Sequence, residues 1–109
     1  MTITRAPATP TPHLPVDRLR LADLCGRWKV AELSFFGSVL REDFRPDSDV
    51  DVLVSFQPSG DWTLLDLMSM RREMADLLGR DVDLVEEAAL RNPYRRAAIL
   101  KSKHVVYIA

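Results

Sequence analysis

One pattern constrains this chain more than any other: Phe35-Phe36-Gly37-Ser38, ten residues, then Asp49-Val50-Asp51, with a later Asp83 inside Asp81-Val82-Asp83-Leu84-Val85. A strand that ends in Gly-Ser lets the backbone approach a phosphate closely, and the turn after it presents N–H groups to an anion. Asp49 and Asp51 are two residues apart, so in a strand both carboxylates leave the same face, separated by roughly 6.6 Å along the chain. Unpaired carboxylates on a half-covered, Val-rich strand repel each other and lose hydration unless a cation or an arginine relieves them. Hard oxygen donors so placed suit Mg²⁺ better than Zn²⁺. Asp83 has Val82 and Leu84 as apolar neighbours, so its parity puts it on the same kind of face in a neighbouring strand. Asp81 shares that parity but follows Gly79-Arg80 at the strand's start, where a solvated carboxylate is the plainer reading. The structural alternative for the Asp pair is an ion pair with Arg41 or Arg45, and Ser38 could simply cap the turn that follows.

With 109 residues there is material for one core, hence one domain. The net charge of -1 and pI near 6.1 offer no basic footprint, so direct nucleic-acid binding is not expected. No apolar stretch has the length of a membrane span and the N-terminus lacks the apolar region of a secretory signal, which makes a cytoplasmic location the expectation. Pro7, Pro10, Pro12 and Pro15 mark residues 1–15 as a flexible leader to a domain at 16–109. The lone Cys25, among Leu21, Leu24 and Trp28, reads as a buried small hydrophobe.

Periodicity then orders the elements. Leu19, Leu21, Leu24 and Trp28 form the apolar face of a first helix ending near Gly26-Arg27. Val30 to Phe36 is a strand, followed by a short helix from Gly37-Ser38 to about Glu42 and a loop through Ser48. In the next strand Val50, Val52, Val54 and Phe56 share a core face, while Asp49, Asp51, Leu53 and Ser55 share the face that carries chemistry. Leu64, Leu67, Met68, Met74, Leu77 and Leu78 make the stripe of a helix from Thr63 to Leu78, closed by Gly79. Asp81 to Val85 is a third strand, Glu86 to Arg91 a helical turn, Pro93 to Lys103 a last helix with proline in its first turn, and Val105 to Ile108 a short edge strand. The expected class is α/β (α+β), a small mixed sheet flanked by helices. Arg71-Arg72, Arg95-Arg96, Lys101 and Lys103 read as solvated helix faces, with a partner surface as the alternative. His13 and His104 have no second ligand at metal-binding spacing, and Trp28 and Trp62 read as core or rim residues.

Gly37-Ser38, the ten-residue spacer and Asp49-x-Asp51, with Ser48 and Val52-Leu53-Val54 around them, resemble the signature of the nucleotidyltransferase superfamily. The third carboxylate in a Val-Asp-Leu-Val strand, the small size, and the ending Asn92-Pro93, Ile99, Val105, Tyr107 are similar to minimal nucleotidyltransferase (MNT) proteins, over Val16 to Ala109. The resemblance implies the DNA polymerase β-like fold, with Asp49, Asp51 and Asp83 as catalytic metal ligands. It implies Mg²⁺ as cofactor, two ions about 3.5–4 Å apart, and ATP as substrate, with Gly37, Ser38, Arg41 and Ser48 on the nucleotide. Many such proteins are antitoxins paired with a HEPN-domain toxin, some transferring AMP from ATP to a tyrosine of that partner, so a HEPN-type partner and a hetero-oligomer with it are implied here. Members that modify antibiotics or tRNA carry an extra helical domain for the acceptor, so a second protein would have to supply that surface. One departure stands out: where the family commonly reads Ala-Arg-Gly, this chain reads Leu40-Arg41-Glu42. Glu42 adds bulk and negative charge near the phosphates, and it supports the rival reading of a non-catalytic antitoxin that neutralises its partner by contact.

Overall fold

The computed structural model describes residues 14, 16–40, 48–58 and 61–109. Helix α1 (Arg18–Arg27) starts where Asp17 caps it, accepting the Arg20 N–H at 3.1 Å, and stops at Trp28. Strand β1 (Val30–Phe36) runs into a four-residue 3-10 turn (Gly37–Leu40). The helix expected through Glu42 therefore reduces, within the described residues, to this turn; residues 41–47 lie outside them. Strand β2 (Val50–Phe56) follows, then α2 (Leu64–Leu78), β3 (Val82–Glu86), a second 3-10 turn (Glu87–Ala89), α3 (Pro93–Ser102) and β4 (His104–Ile108).

The limits of α2 follow from its end residues. Thr63 and Asp66 form a reciprocal capping box, and Gly79 takes up the left-handed conformation, φ 68°, that ends the helix. Asn92 caps α3 by accepting the Tyr94 and Arg95 N–H groups, with Pro93 in the first turn.

The four strands form a mixed sheet in the order β3-β2-β1-β4. β1 is antiparallel to both β2 and β4, and β2 is parallel to β3. The edge position expected for the last strand is the one it occupies. One face packs on α1 and α2, burying Leu21, Leu24, Leu33, Phe35, Val52, Val54, Met70 and Met74. A second, smaller cluster of Phe36, Leu53, Leu90 and Ile99 lies on the opposite face under α3. Leu53 is therefore core and not part of the chemical face: α3 roofs the half of that face around it. Two helix stripes also differ from the sequence reading. Leu19 is 84% exposed, whereas Cys25 is buried as read, its thiol pushed up to about 12 by burial. In α2 the inward stripe is Met70, Met74 and Leu78, whereas Leu64, Leu65 and Met68 face outward. The first turn of α2 shares an open cavity with Val54, Leu84 and Glu86 of β2 and β3.

No helix among the described residues is long and apolar enough to cross a membrane. Leu14, near the end of the proline-rich segment, is 3% exposed and belongs to the main core. Leu14→Ala is accordingly expected to cost about 2–4 kcal/mol, seen as a lower urea midpoint at unchanged slope. Deletion of residues 1–11, whose composition offers no apolar period, is expected to leave that midpoint where it was; a fall equal to that of Leu14→Ala would contradict this.

Candidate active site

Strand register assembles the acidic cluster. Asp51 lies opposite Asp83 across the parallel β2–β3 pair and opposite Phe36 across the antiparallel β1–β2 pair. Asp49 is two residues before Asp51, just ahead of β2, so its side chain has the same parity. Val50, Val52 and Val82 on the other parity are buried, which fixes the sides. Asp49 and Asp83 are exposed and Asp51 is half-buried. The parity argument for Asp83 is thus met by position. Asp81 is exposed ahead of β3 and contributes its backbone carbonyl to the Val50 N–H at 2.9 Å.

Gly37 closes the third side of the cluster. Its φ of +73° is a left-handed value, and a Cβ built there would lie 2.2 Å from Asp51 Oδ2. Only a residue without a side chain lets the β1 terminus lie flat against this carboxylate. The next backbone N–H, that of Ser38, hydrogen-bonds to Asp51. The Gly-Ser turn therefore directs an amide at the carboxylate it shares the site with. Ser38 and Ser48 are half-buried at the two ends of the intervening segment. Arg41, Glu42 and Arg45 fall outside the described residues.

The electrostatics are those of a site short of positive charge. Burial, then the charges of Asp83 and Asp49, push the Asp51 carboxyl above its ordinary value; the Ser38 N–H bond and the charge of Arg95 act the other way. A divalent cation would relieve this repulsion, and an oxygen-only donor set on one open sheet face fits Mg²⁺. Among the described residues no three acidic, His or Cys side chains are drawn together tightly enough to enclose an ion.

Other residues separate from this centre. Trp28 and Trp62 stack edge to face at 4.9 Å, with the Trp62 indole N–H on the Trp28 carbonyl at 2.9 Å. They pack by Phe56 at the far end of β2, five residues or roughly 17 Å from Asp51. Glu73 ties this corner together through the Trp28 indole and Arg27, which holds the Glu73 carboxyl below its ordinary value. On the last helix the basic residues are not a uniform solvated face. Arg96 binds the Glu87 carbonyl at 3.0 Å and Lys103 pairs with Glu32, while the field of Arg95 reaches Asp51.

Comparison with known proteins places these features in context. The nucleotidyltransferase domain family matches residues 20–106. The protein adenylyltransferase MntA of Thermococcus cleftensis is 35% identical over 88 residues, 79% of this chain and 82% of the relative. A solved structure named for a minimal nucleotidyltransferase superimposes with a TM-score of 0.66 at 37% identity, over 80% of this chain and 86% of the other. The MNT antitoxin in complex with a tri-AMPylated HEPN toxin of Shewanella oneidensis matches with a TM-score of 0.61, over 84% of this chain and 70% of the other; at 17% identity that likeness is one of fold.

Proposed function

We propose, from the premise that this chain belongs to the nucleotidyltransferase domain family and is an enzyme of the protein adenylyltransferase kind, that it transfers AMP from ATP to a tyrosine hydroxyl of a HEPN-type toxin and so acts as its antitoxin. The observation that carries the reading is the placement of Asp51 against side-chain-free Gly37, with Asp83 across the strand pair and Asp49 on the same parity. In the reaction the acceptor oxygen forms a bond to the α-phosphorus and the bond from that phosphorus to the bridging oxygen breaks. Pyrophosphate leaves, and the hydroxyl proton passes to a carboxylate or to water.

Asp49, Asp51 and Asp83 would hold Mg²⁺. When bound, the ion supplies charge neutralisation for the phosphates and lowers the pKa of the attacking hydroxyl. Gly37 lets the Gly-Ser turn lie against Asp51, and Gly37, Ser38, Arg41 and Ser48 are the candidates to contact the triphosphate. The tyrosine acceptor is carried over from the resemblance to minimal nucleotidyltransferases, and the HEPN identity of the partner from the complex of an MNT antitoxin of the same fold with an AMPylated HEPN toxin.

The test is the intact mass of a co-purified HEPN-type partner after incubation with each nucleoside triphosphate and Mg²⁺. Gain of adenylyl groups with ATP at substoichiometric enzyme is the expected result. Full neutralisation of the partner with no mass change would replace catalysis by contact inhibition. ATP affinity is expected to require Mg²⁺ or Mn²⁺, since the bare carboxylates repel its phosphates; equal affinity in EDTA would remove the acidic cluster from the metal site.

A further inference from the structure

Charge is unevenly divided along this chain. Residues 91–109 hold five basic side chains, Arg91, Arg95, Arg96, Lys101 and Lys103, and no acidic one, although the chain as a whole has a net charge of -1. The other two helices mix their charges and pair them: Arg27 of α1 binds Asp23 one turn before it and Glu73 of α2. α3 has no acidic residue for such a pair, and Arg95 and Arg96 stand in its first turn, where the helix dipole disfavours cations. The rest of the fold relieves two of the five, since Glu87 holds Arg96 and Glu32 holds Lys103. Arg91, Arg95 and Lys101 are exposed and, among the described residues, enter no ion pair.

An aromatic side chain stands beside them. Tyr94 is 86% exposed, and Ala97, Ala98 and Lys101 follow it at the spacing of one helix face. All of these are exposed, whereas Ile99, on the other side of α3, is buried against Phe36 and Leu53. Phe36 and Leu53 share their side of the sheet with Asp51 and Asp83. The outer face of α3 is therefore a tyrosine and two methyl groups among cations, on the side of the sheet that carries the carboxylates. Tyrosine together with arginine is the composition of binding surfaces more than of free ones.

We infer that this face docks an acidic surface of the protein whose hydroxyl receives AMP; this rests on the transfer reading. Charge separates the two kinds of anion that could lie there. A nucleic acid needs an extended basic track for its run of phosphates, and three free cations around a small apolar spot do not make one on a chain of net charge -1. A few carboxylates around an apolar patch match them. Seated on α3, the acceptor protein is on the same side of the sheet as the carboxylates its hydroxyl has to reach.

Calorimetric titration of the separated, co-purified partner into the full chain tests this at low and high salt. Tyr94→Ala and Lys101→Gln are each expected to weaken the complex about 5–10-fold, and the wild-type affinity to fall with added salt. Arg72→Gln, the same loss of charge at an exposed position of α2, should change it less than about twofold. The KM for the partner should rise with its Kd while kcat, the affinity for Mg²⁺·ATP and the melting temperature stay at wild-type values, a split that damage to the fold does not produce. Lys101→Gln within about twofold of wild type, or an affinity indifferent to salt, overturns the docking and leaves transfer standing. Weakened binding by both variants, with a wild type that adds no adenylyl group to the partner, upholds the docking and overturns transfer. A single-stranded RNA that binds the wild type and is lost in Lys101→Gln, while the partner still binds, gives the face to nucleic acid and overturns the inference.

Discussion

Asp51→Asn is expected to lower AMP transfer by at least about 100-fold while raising the melting temperature of the ligand-free protein. Both effects follow from the same crowding. The Asp51 carboxyl is raised above its ordinary value of 3.8 by burial and by the charges of Asp83 and Asp49. A carboxyl whose folded-state pKa exceeds its unfolded value binds its proton more tightly when folded. The penalty of ionising it is therefore present above the folded pKa and vanishes as pH falls through it. Asparagine keeps an acceptor for the Ser38 N–H and removes the charge, so at pH 7 in EDTA the variant should melt above wild type. The difference should shrink as pH falls through the raised pKa of Asp51. With Mg²⁺ and ATP the order reverses, because binding stabilises only the form that binds. Scanning calorimetry in both conditions, paired with the partner-mass assay, measures this; wild-type transfer by Asp51→Asn would remove Asp51 from the chemistry.

Much of this architecture was legible because local signals agreed. Val30–Phe36 is a run of strand formers between Lys29 and Gly37, and its limits came out as read. Thr63, Asp66 and Gly79 are end signals that act within a few residues, so α2 was delimited to within its cap. Alternation in β2 and β3 put Asp51 and Asp83 on one face, since parity needs no knowledge of what covers that face. What escaped depends on docking. Parity assigned Leu53 to the same side as Asp51 correctly, but its burial depends on where α3 comes to rest. Leu64, Met68 and Leu19 obey a helical period yet are exposed, and in α2 Met70 takes the inward place. The register that sets Phe36 against Asp51 and brings Gly37 to it is likewise a tertiary quantity.

That last contact gives the other large effect. Gly37→Ala is expected to impair the site far more than its single methyl group would suggest elsewhere. A left-handed φ of +73° costs a side chain about 1–2 kcal/mol before any contact is counted. The new Cβ would also stand 2.2 Å from Asp51 Oδ2, with Asp51 Cγ at 3.2 Å, so the carboxylate must turn away. Rotation of an aspartate is cheap in folding terms, which limits the loss of stability to about 2–3 kcal/mol, or roughly 10 °C. It is not cheap for catalysis: the group that moves is the proposed metal ligand, it gives up the Ser38 N–H, and a displacement near 1 Å can lower a rate by about 100-fold. A double-mutant cycle separates the two contributions. In an Asp51→Ala background the clash is gone, so Gly37→Ala should destabilise only by its backbone strain, measured by urea unfolding. An unchanged penalty in that background would show that Gly37 serves the turn alone, and that its closeness to Asp51 has no part in shaping the site.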